Sequence, residues 1–201
     1  MCPLNIHDFT FGGSVKLGSS DIKSFLSDYF GQLAAAFQSV DPEKIESACA
    51  LVRLTINNGG KIIILGNGGS AAIASHAAVD FVKAAGVRAL SFSDASMLTC
   101  FSNDYGYENC AAKIIEFYAN PSDLVVLISS SGESDNIIAA AEQSEEMGLA
   151  LLTFSGFSKS NRLAKYGDVR FWCDSNLYNT IENTHQIWLL AIIDYVIANK
   201  E

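Results

Sequence analysis

Two short runs of small polar residues carry the first chemical signal, Gly66-Asn67-Gly68-Gly69-Ser70 and Ser129-Ser130-Ser131-Gly132-Glu133-Ser134. Each follows an apolar stretch, Lys61-Ile62-Ile63-Ile64-Leu65 and Leu124-Val125-Val126-Leu127-Ile128 respectively, and each leads into a helix-compatible sequence. A strand that breaks into such a turn and then enters a helix gathers backbone N–H groups at a positive helix end. That is a seat for an anion, most often a phosphate. The serine hydroxyls add donors, so the second run can grip a phosphate without a lysine or arginine. Ser and Gly are also ordinary turn residues, and one such run alone reads as a capped loop. Two of them at one sheet edge favour the anion site. The first run has neither the G-x-G-x-x-G spacing of a dinucleotide site nor the lysine of a Walker loop.

Titratable residues flank these runs. His76 and Asp80 stand four apart after the first, and Glu182 and His185 stand three apart near the end of the chain. Residues three apart on a helix differ by about 60° in direction and one turn in height, so both can face one pocket. A single histidine on an Ala-rich helix also reads as a hydrogen-bonded structural residue, and His76 with Asp80 as a simple helix pair. Two acids and two histidines from helices facing the same sheet edge are the better fit to a site. A third polar run, Ser102-Asn103-Asp104-Tyr105-Gly106, is expected as a loop near that edge, with Tyr105 the aromatic nearest a ligand.

The elements that would position these residues alternate along the chain. An irregular segment over 1–20 precedes a helix capped by Ser20 or Asp21, and Asp41-Pro42-Glu43 starts a second, ended by Asn57-Asn58-Gly59-Gly60. Strands are expected at 61–65, 88–92, 123–128, 150–154 and 169–173, with helices near 70–84, 106–119, 134–147 and 179–198. This βαβ series predicts an α/β fold, a doubly wound parallel sheet of about five strands flanked by helices, as one domain over 21–201. Ligands of such sheets bind outside the carboxyl ends of the strands, where the polar runs fall.

Composition bounds the function. A formal charge of −9 argues against nucleic acid or an anionic membrane as partner, because neither electrostatic footprint is present. With 49% hydrophobic residues the chain is globular, yet no uncharged stretch is long enough to span a bilayer, and residues 1–20 lack the order of a signal peptide. Five scattered cysteines without a CxxC pair point to reduced thiols and a cytoplasmic protein.

Taken together, the Gly66–Ser70 and Ser129–Ser134 runs, the Asn103-Asp104 pair and the long C-terminal helix resemble a sugar isomerase (SIS) domain. Within that superfamily the chain is most similar to phosphoheptose isomerases, over roughly residues 20–198. The resemblance implies conversion of sedoheptulose 7-phosphate to D-glycero-D-manno-heptose 7-phosphate, a homotetramer with sites between subunits, and a bound zinc. It places Asn67, Gly68, Gly69 and Ser70 along the sugar, Asn103 and Asp104 on sugar hydroxyls, and Ser129, Ser130, Ser131 and Ser134 on the phosphate.

In the family pattern the helix after the Gly loop bears a His and, four residues on, a Glu, while the last helix bears a Gln and, eight on, a His. Those positions are His76, Asp80, Glu182 and Leu190 here, so His185 is expected to take over the work of the missing histidine. The reading therefore names Asp80 or Glu182 as the base, His185 as acid or proton carrier, and His76, Asp80, Glu182 and His185 as zinc ligands. No redox cofactor is implied. A rival reading is a non-catalytic SIS sensor of sugar phosphates, or an adaptor of the kind that binds a replication initiator.

Overall fold

A computed structural model describes residues 21–199. The irregular segment expected over 1–20 lies outside the described residues. Helix α1 (Ile22–Gln38) starts at Asp21, whose carboxylate accepts from Ser24 N. Helix α2 (Pro42–Asn57) starts at Asp41, whose carboxylate accepts from Glu43 N, with Pro42 pre-set for the first turn.

Five parallel strands follow: β1 (Ile62–Gly66), β2 (Ala89–Ser91), β3 (Leu124–Ile128), β4 (Ala150–Ser155) and β5 (Val169–Trp172), in spatial order β2-β1-β3-β4-β5. The crossovers carry α3 (Gly69–Lys83), α4 (Ala95–Tyr105), α5 (Tyr107–Tyr118) and α6 (Asp135–Glu146), and α7 (Tyr178–Ala198) ends the described chain. β1 and β3 are buried on both faces, which is why they read as unbroken apolar runs.

Alternate strand residues feed two cores. Ile62, Ile64, Val126 and Phe154 pack with α2, α3 and α7, while Ile63, Leu65, Val125 and Leu127 pack with α5 and α6. At the base of the sheet Asp123, 2% exposed, pairs with the Lys61 ammonium and accepts from Lys61 N and Asn120 N. That clip joins the entrances of β1 and β3. α1 lies against α7, and Trp188 Nε1 donates to Phe37 O at 2.9 Å. No residue of α1 is buried; Ile22 is 67% and Phe30 60% exposed, so part of its apolar stripe is bare.

One element departs from expectation. Ser102–Tyr105 is the last turn of α4 and no loop, and Gly106 joins it directly to α5. Asp94 caps this helix by accepting from Ser96 N and Met97 N. No helix among the described residues is long and apolar enough to cross a membrane.

Candidate active site

β1 and β3 are neighbours, yet the chain leaves β1 for α3 on one face of the sheet and leaves β3 for α6 on the other. The crevice between such diverging loops is where doubly wound sheets hold ligands. Both polar runs lie there. Gly68 caps α3 at φ 54°, a left-handed conformation, and no side chain occupies the cap. The first N–H groups of α3 therefore face the crevice unshielded by a capping side chain. Gly69 leaves room for Glu182: a Cβ there would overlap the carboxylate where it now lies and displace it.

The serine run is organised by its own hydroxyls. Ser129 Oγ accepts from Gly132 N at 3.2 Å and lies 3.2 Å from Ser134 Oγ. Ser131 Oγ accepts from Glu133 N, also at 3.2 Å. Ser134 caps α6 without a side-chain bond to it, so the first turn of that helix stays open to an anion. Together the two runs enclose a cleft of about 240 Å³, lined by Asn67, Gly68, Gly69 and Ser70 on one side and by Ser129, Ser130, Ser131 and Ser134 on the other. Tyr178 and Glu182 from α7 complete the wall.

Glu182 is the one carboxylate in that wall. Its Oε1 lies 3.5 Å from Ser130 Oγ. Burial pushes its pKa up from the ordinary carboxylate range, against the opposing pull of the Ser130 hydroxyl. A half-buried acid with a raised pKa, against a cluster of anion donors, has the character of a proton-transfer group.

The remaining candidates do not join it. His185 is fully buried beside Phe154 and Trp188, with Nε2 2.9 Å from Ser155 O and Nδ1 without a partner. Burial lowers its pKa from 6.5 to about 4, so the imidazole is neutral in the core. The expectation that His185 carries protons or binds zinc is thus corrected: the side chain points into the apolar layer between α7 and β4. It belongs to the same stripe as Ile181, Trp188 and Ile192. His76 Nε2 lies 3.2 Å from Asp80 Oδ2, and Gln186 Nε2 lies 2.9 Å from His76 Nδ1. This trio sits on the outer face of α3 and α7, outside the cleft lining. Leu190, at the place of the missing histidine, packs against the core.

The zinc set is corrected with it. No group of three or more His, Cys, Asp or Glu side chains that could hold a metal exists among the described residues. His76 and Asp80 supply two donors with the Gln186 amide beside them, while Glu182 lies in the cleft and His185 in the core, so the four expected ligands do not meet within one chain. Asn103 and Asp104 are exposed on the last turn of α4, bonded to each other at 2.9 Å, and do not line the cleft. Tyr105 packs on Phe101 and Phe117. It is Tyr107, two residues on, whose hydroxyl reaches Asn67 Oδ1 at 3.1 Å. By sequence Tyr107 reads as one of an aromatic packing cluster with Tyr105, Phe117 and Tyr118, and Tyr178 and Asn136 are not singled out; only their places after Gly106, at the start of α7 and at the start of α6 could have pointed to them.

Known proteins share this fold. The SIS domain family matches residues 27–156. A "probable phosphoheptose isomerase" of Thermoplasma volcanium is 35% identical over 167 residues, covering 80% of this chain and 84% of that one. The phosphoheptose isomerase of Helicobacter pylori strain P12 is 32% identical over 160 residues, covering 77% of this chain and 83% of its own. The solved phosphoheptose isomerase of Neisseria gonorrhoeae superposes with a TM-score of 0.80 at 27% identity, over 88% of this chain and 99% of that one. With relatives this similar along most of its length, the chain belongs to the phosphoheptose isomerase family of SIS-domain proteins.

Proposed function

We propose that the chain is a ketose–aldose isomerase that converts sedoheptulose 7-phosphate to D-glycero-D-manno-heptose 7-phosphate. The observation that carries this reading is the cleft itself, with two N–H-rich loops facing one carboxylate whose pKa is raised by burial. The phosphate rests on the hydroxyls of Ser129, Ser131 and Ser134 and on the open first turn of α6. The sugar then extends toward Asn67–Ser70.

Isomerisation moves a proton between the two carbons at the ketose end. A base removes the C1 proton as the C2 carbonyl becomes an enediolate oxygen, the hydroxyl proton on O1 passes to O2, and the carbon proton returns at C2 as C1–O becomes the aldehyde carbonyl. Glu182 is the base in this reading, because it is the carboxylate that lines the cleft. Its raised pKa narrows the gap to the carbon acid, and N–H donors of the Gly loop stabilise the oxygen charge. Asp80 acts at most from outside the cleft of a single chain. The reaction needs no redox cofactor, since the electrons stay within the substrate.

The same reading takes 21–201 as one SIS unit that works in the cytoplasm, in keeping with the free thiols of Cys49, Cys100, Cys110 and Cys173. It assembles as a homotetramer. Exposed Ile22, Phe30, Val79, Val82 and Ile187 give faces for the other copies, and His76, Asp80 and Gln186 lie among the last three. The deciding experiment is incubation with sedoheptulose 7-phosphate and detection of the aldose phosphate. Binding without turnover would instead favour the sensor reading, which the leucine at 190 and the buried His185 would suit.

A further inference from the structure

Asn67 and Asn136 meet across the crevice in a closed pair of side-chain amides. Asn67 Nδ2 donates to Asn136 Oδ1 at 2.8 Å, and Asn136 Nδ2 donates back to Asn67 Oδ1 at 2.9 Å. The Tyr107 hydroxyl adds a third bond, to Asn67 Oδ1 at 3.1 Å. A carboxamide has two acceptor lone pairs and two N–H donors. Both lone pairs of Asn67 Oδ1 are therefore filled, and one N–H of its Nδ2 is left over. Asn67 lines the cleft, so what it can present to a ligand is a donor and not an acceptor.

Asn136 is 4% exposed, sits in the first turn of α6 and does not line the cleft. A buried amide is costly unless hydrogen-bonded, so each partner holds the other in place, and the Tyr107 hydroxyl donating to Asn67 Oδ1 selects this flip of the pair. The pair also ties the loop leaving β1 to the helix that follows β3, the two segments that flank the crevice.

We infer that Asn136 is a positioning residue that acts through Asn67: together with the Tyr107 hydroxyl on Oδ1 it holds the Asn67 amide so that an N–H faces the sugar oxygen on which enediolate charge develops. This rests on the isomerase reading of the cleft. Without Asn136 the Asn67 amide is free to rotate and offer its oxygen, which repels that charge. Loss of a single donor to a developing oxyanion costs on the order of 10²-fold in kcat.

The test is a double-mutant cycle of Asn67→Ala, Asn136→Ala and the pair, with turnover of sedoheptulose 7-phosphate and calorimetric Kd as readouts. Asn136→Ala is expected to lower kcat by about 10- to 100-fold with a smaller change in KM, and by no more than about 2-fold once Asn67 is already Ala. A buried pair that merely supports the fold would lower Tm and give additive or absent kinetic effects, which overturns the inference.

If Asn136→Ala does not fold, side-chain amide exchange in the wild type decides. The hydrogen-bonded Nδ2 proton of Asn67 and that of Asn136 are expected to exchange at least about tenfold more slowly than those of exposed Asn179. Equal rates overturn the inference. A wild type that binds the sugar phosphate but does not turn it over removes the isomerase reading and the oxyanion role with it; positioning of Asn67 by Asn136 is then read from the cycle on Kd, where additive effects overturn it. A wild type that neither binds nor turns over removes both.

Discussion

Two polar clusters lie on the same pair of helices and differ in almost every physical respect. In the crevice, Glu182 of α7 faces Gly69 at the start of α3, half-buried, with its pKa raised. About two turns further along α3, His76 and Asp80 meet Gln186 of α7 on an open face, with the His76 side chain 48% exposed. The first cluster is closed by the two loops of its own chain. The second is bordered by Val79, Val82 and Ile187, which are 58%, 52% and 44% exposed. Apolar residues so placed mark a surface meant to be covered. The inner cluster is thus enclosed within one chain, whereas the outer one is open, and in the proposed tetramer it would meet a neighbour.

The largest effect is expected where the inner cluster is attacked. Glu182→Gln should cut kcat by ~10²–10⁴-fold, the usual loss for a general base, with KM little changed. Stability should move the other way. A carboxyl whose folded pKa is raised contributes stability at low pH and loses it as pH rises through that pKa, so near neutrality the amide should raise Tm. A folded Glu182→Gln protein with full turnover would transfer chemistry to the outer cluster. The pH profile of the wild type should rise as Glu182 ionises, above the range of an ordinary glutamate.

Next in size is the phosphate seat. Ser129→Ala with Ser131→Ala should raise KM and Kd for sugar phosphate by about 10-fold or more, through lost hydroxyl donors, while the fold persists. Unchanged binding by calorimetry would move the phosphate elsewhere.

The outer cluster is probed by Val79→Asp with Val82→Asp. Both side chains are exposed in the single chain, so the variant should fold. Sedimentation should show a tetramer for the wild type and smaller species for the variant. If a neighbour completes the outer cluster for catalysis, kcat should fall by about 10-fold as the assembly dissociates. Dissociation with turnover intact would confine catalysis to the inner cluster.

The smallest effect belongs to His185. Its folded pKa is depressed from 6.5 to about 4, so below about pH 6.5 the unfolded chain takes up a proton that the folded chain refuses. Stability should therefore fall between those values, by at most ~1.4 kcal/mol per pH unit from this one group. His185→Gln keeps a donor for Ser155 O and removes the titration. Its Tm should lose less than that of the wild type between about pH 7 and about pH 5.

The contrast between Glu182 and His185 also shows where sequence reasoning reaches. Helical spacing puts them within about 60° of each other, but it does not say where the core begins. The stripe Ile181, His185, Trp188, Ile192 carried that boundary, and it assigned His185 to the interior. The strands were legible because β1 and β3 are apolar throughout, and the two loops because glycine and serine runs ended them. α4 was not legible: none of its residues is buried, so no periodic stripe marks it, and the Asp94 cap was its one local sign. The amide pair was invisible for another reason. Its members lie 69 positions apart, and only the pairing of β1 with β3 brings them together.

The cleft is lined by hydroxyls, amides and one carboxylate, with no lysine or arginine among its lining residues, in a chain of formal charge −9. A phosphate dianion approaching from solution is then repelled at long range and attracted only within hydrogen-bonding distance. Association should be slow for so small a ligand, and it should quicken as ionic strength rises, because salt screens the repulsion while leaving short contacts nearly intact. Recognition becomes a matter of shape more than of charge, so inorganic sulfate and other simple anions compete poorly for a seat that their charge alone does not find.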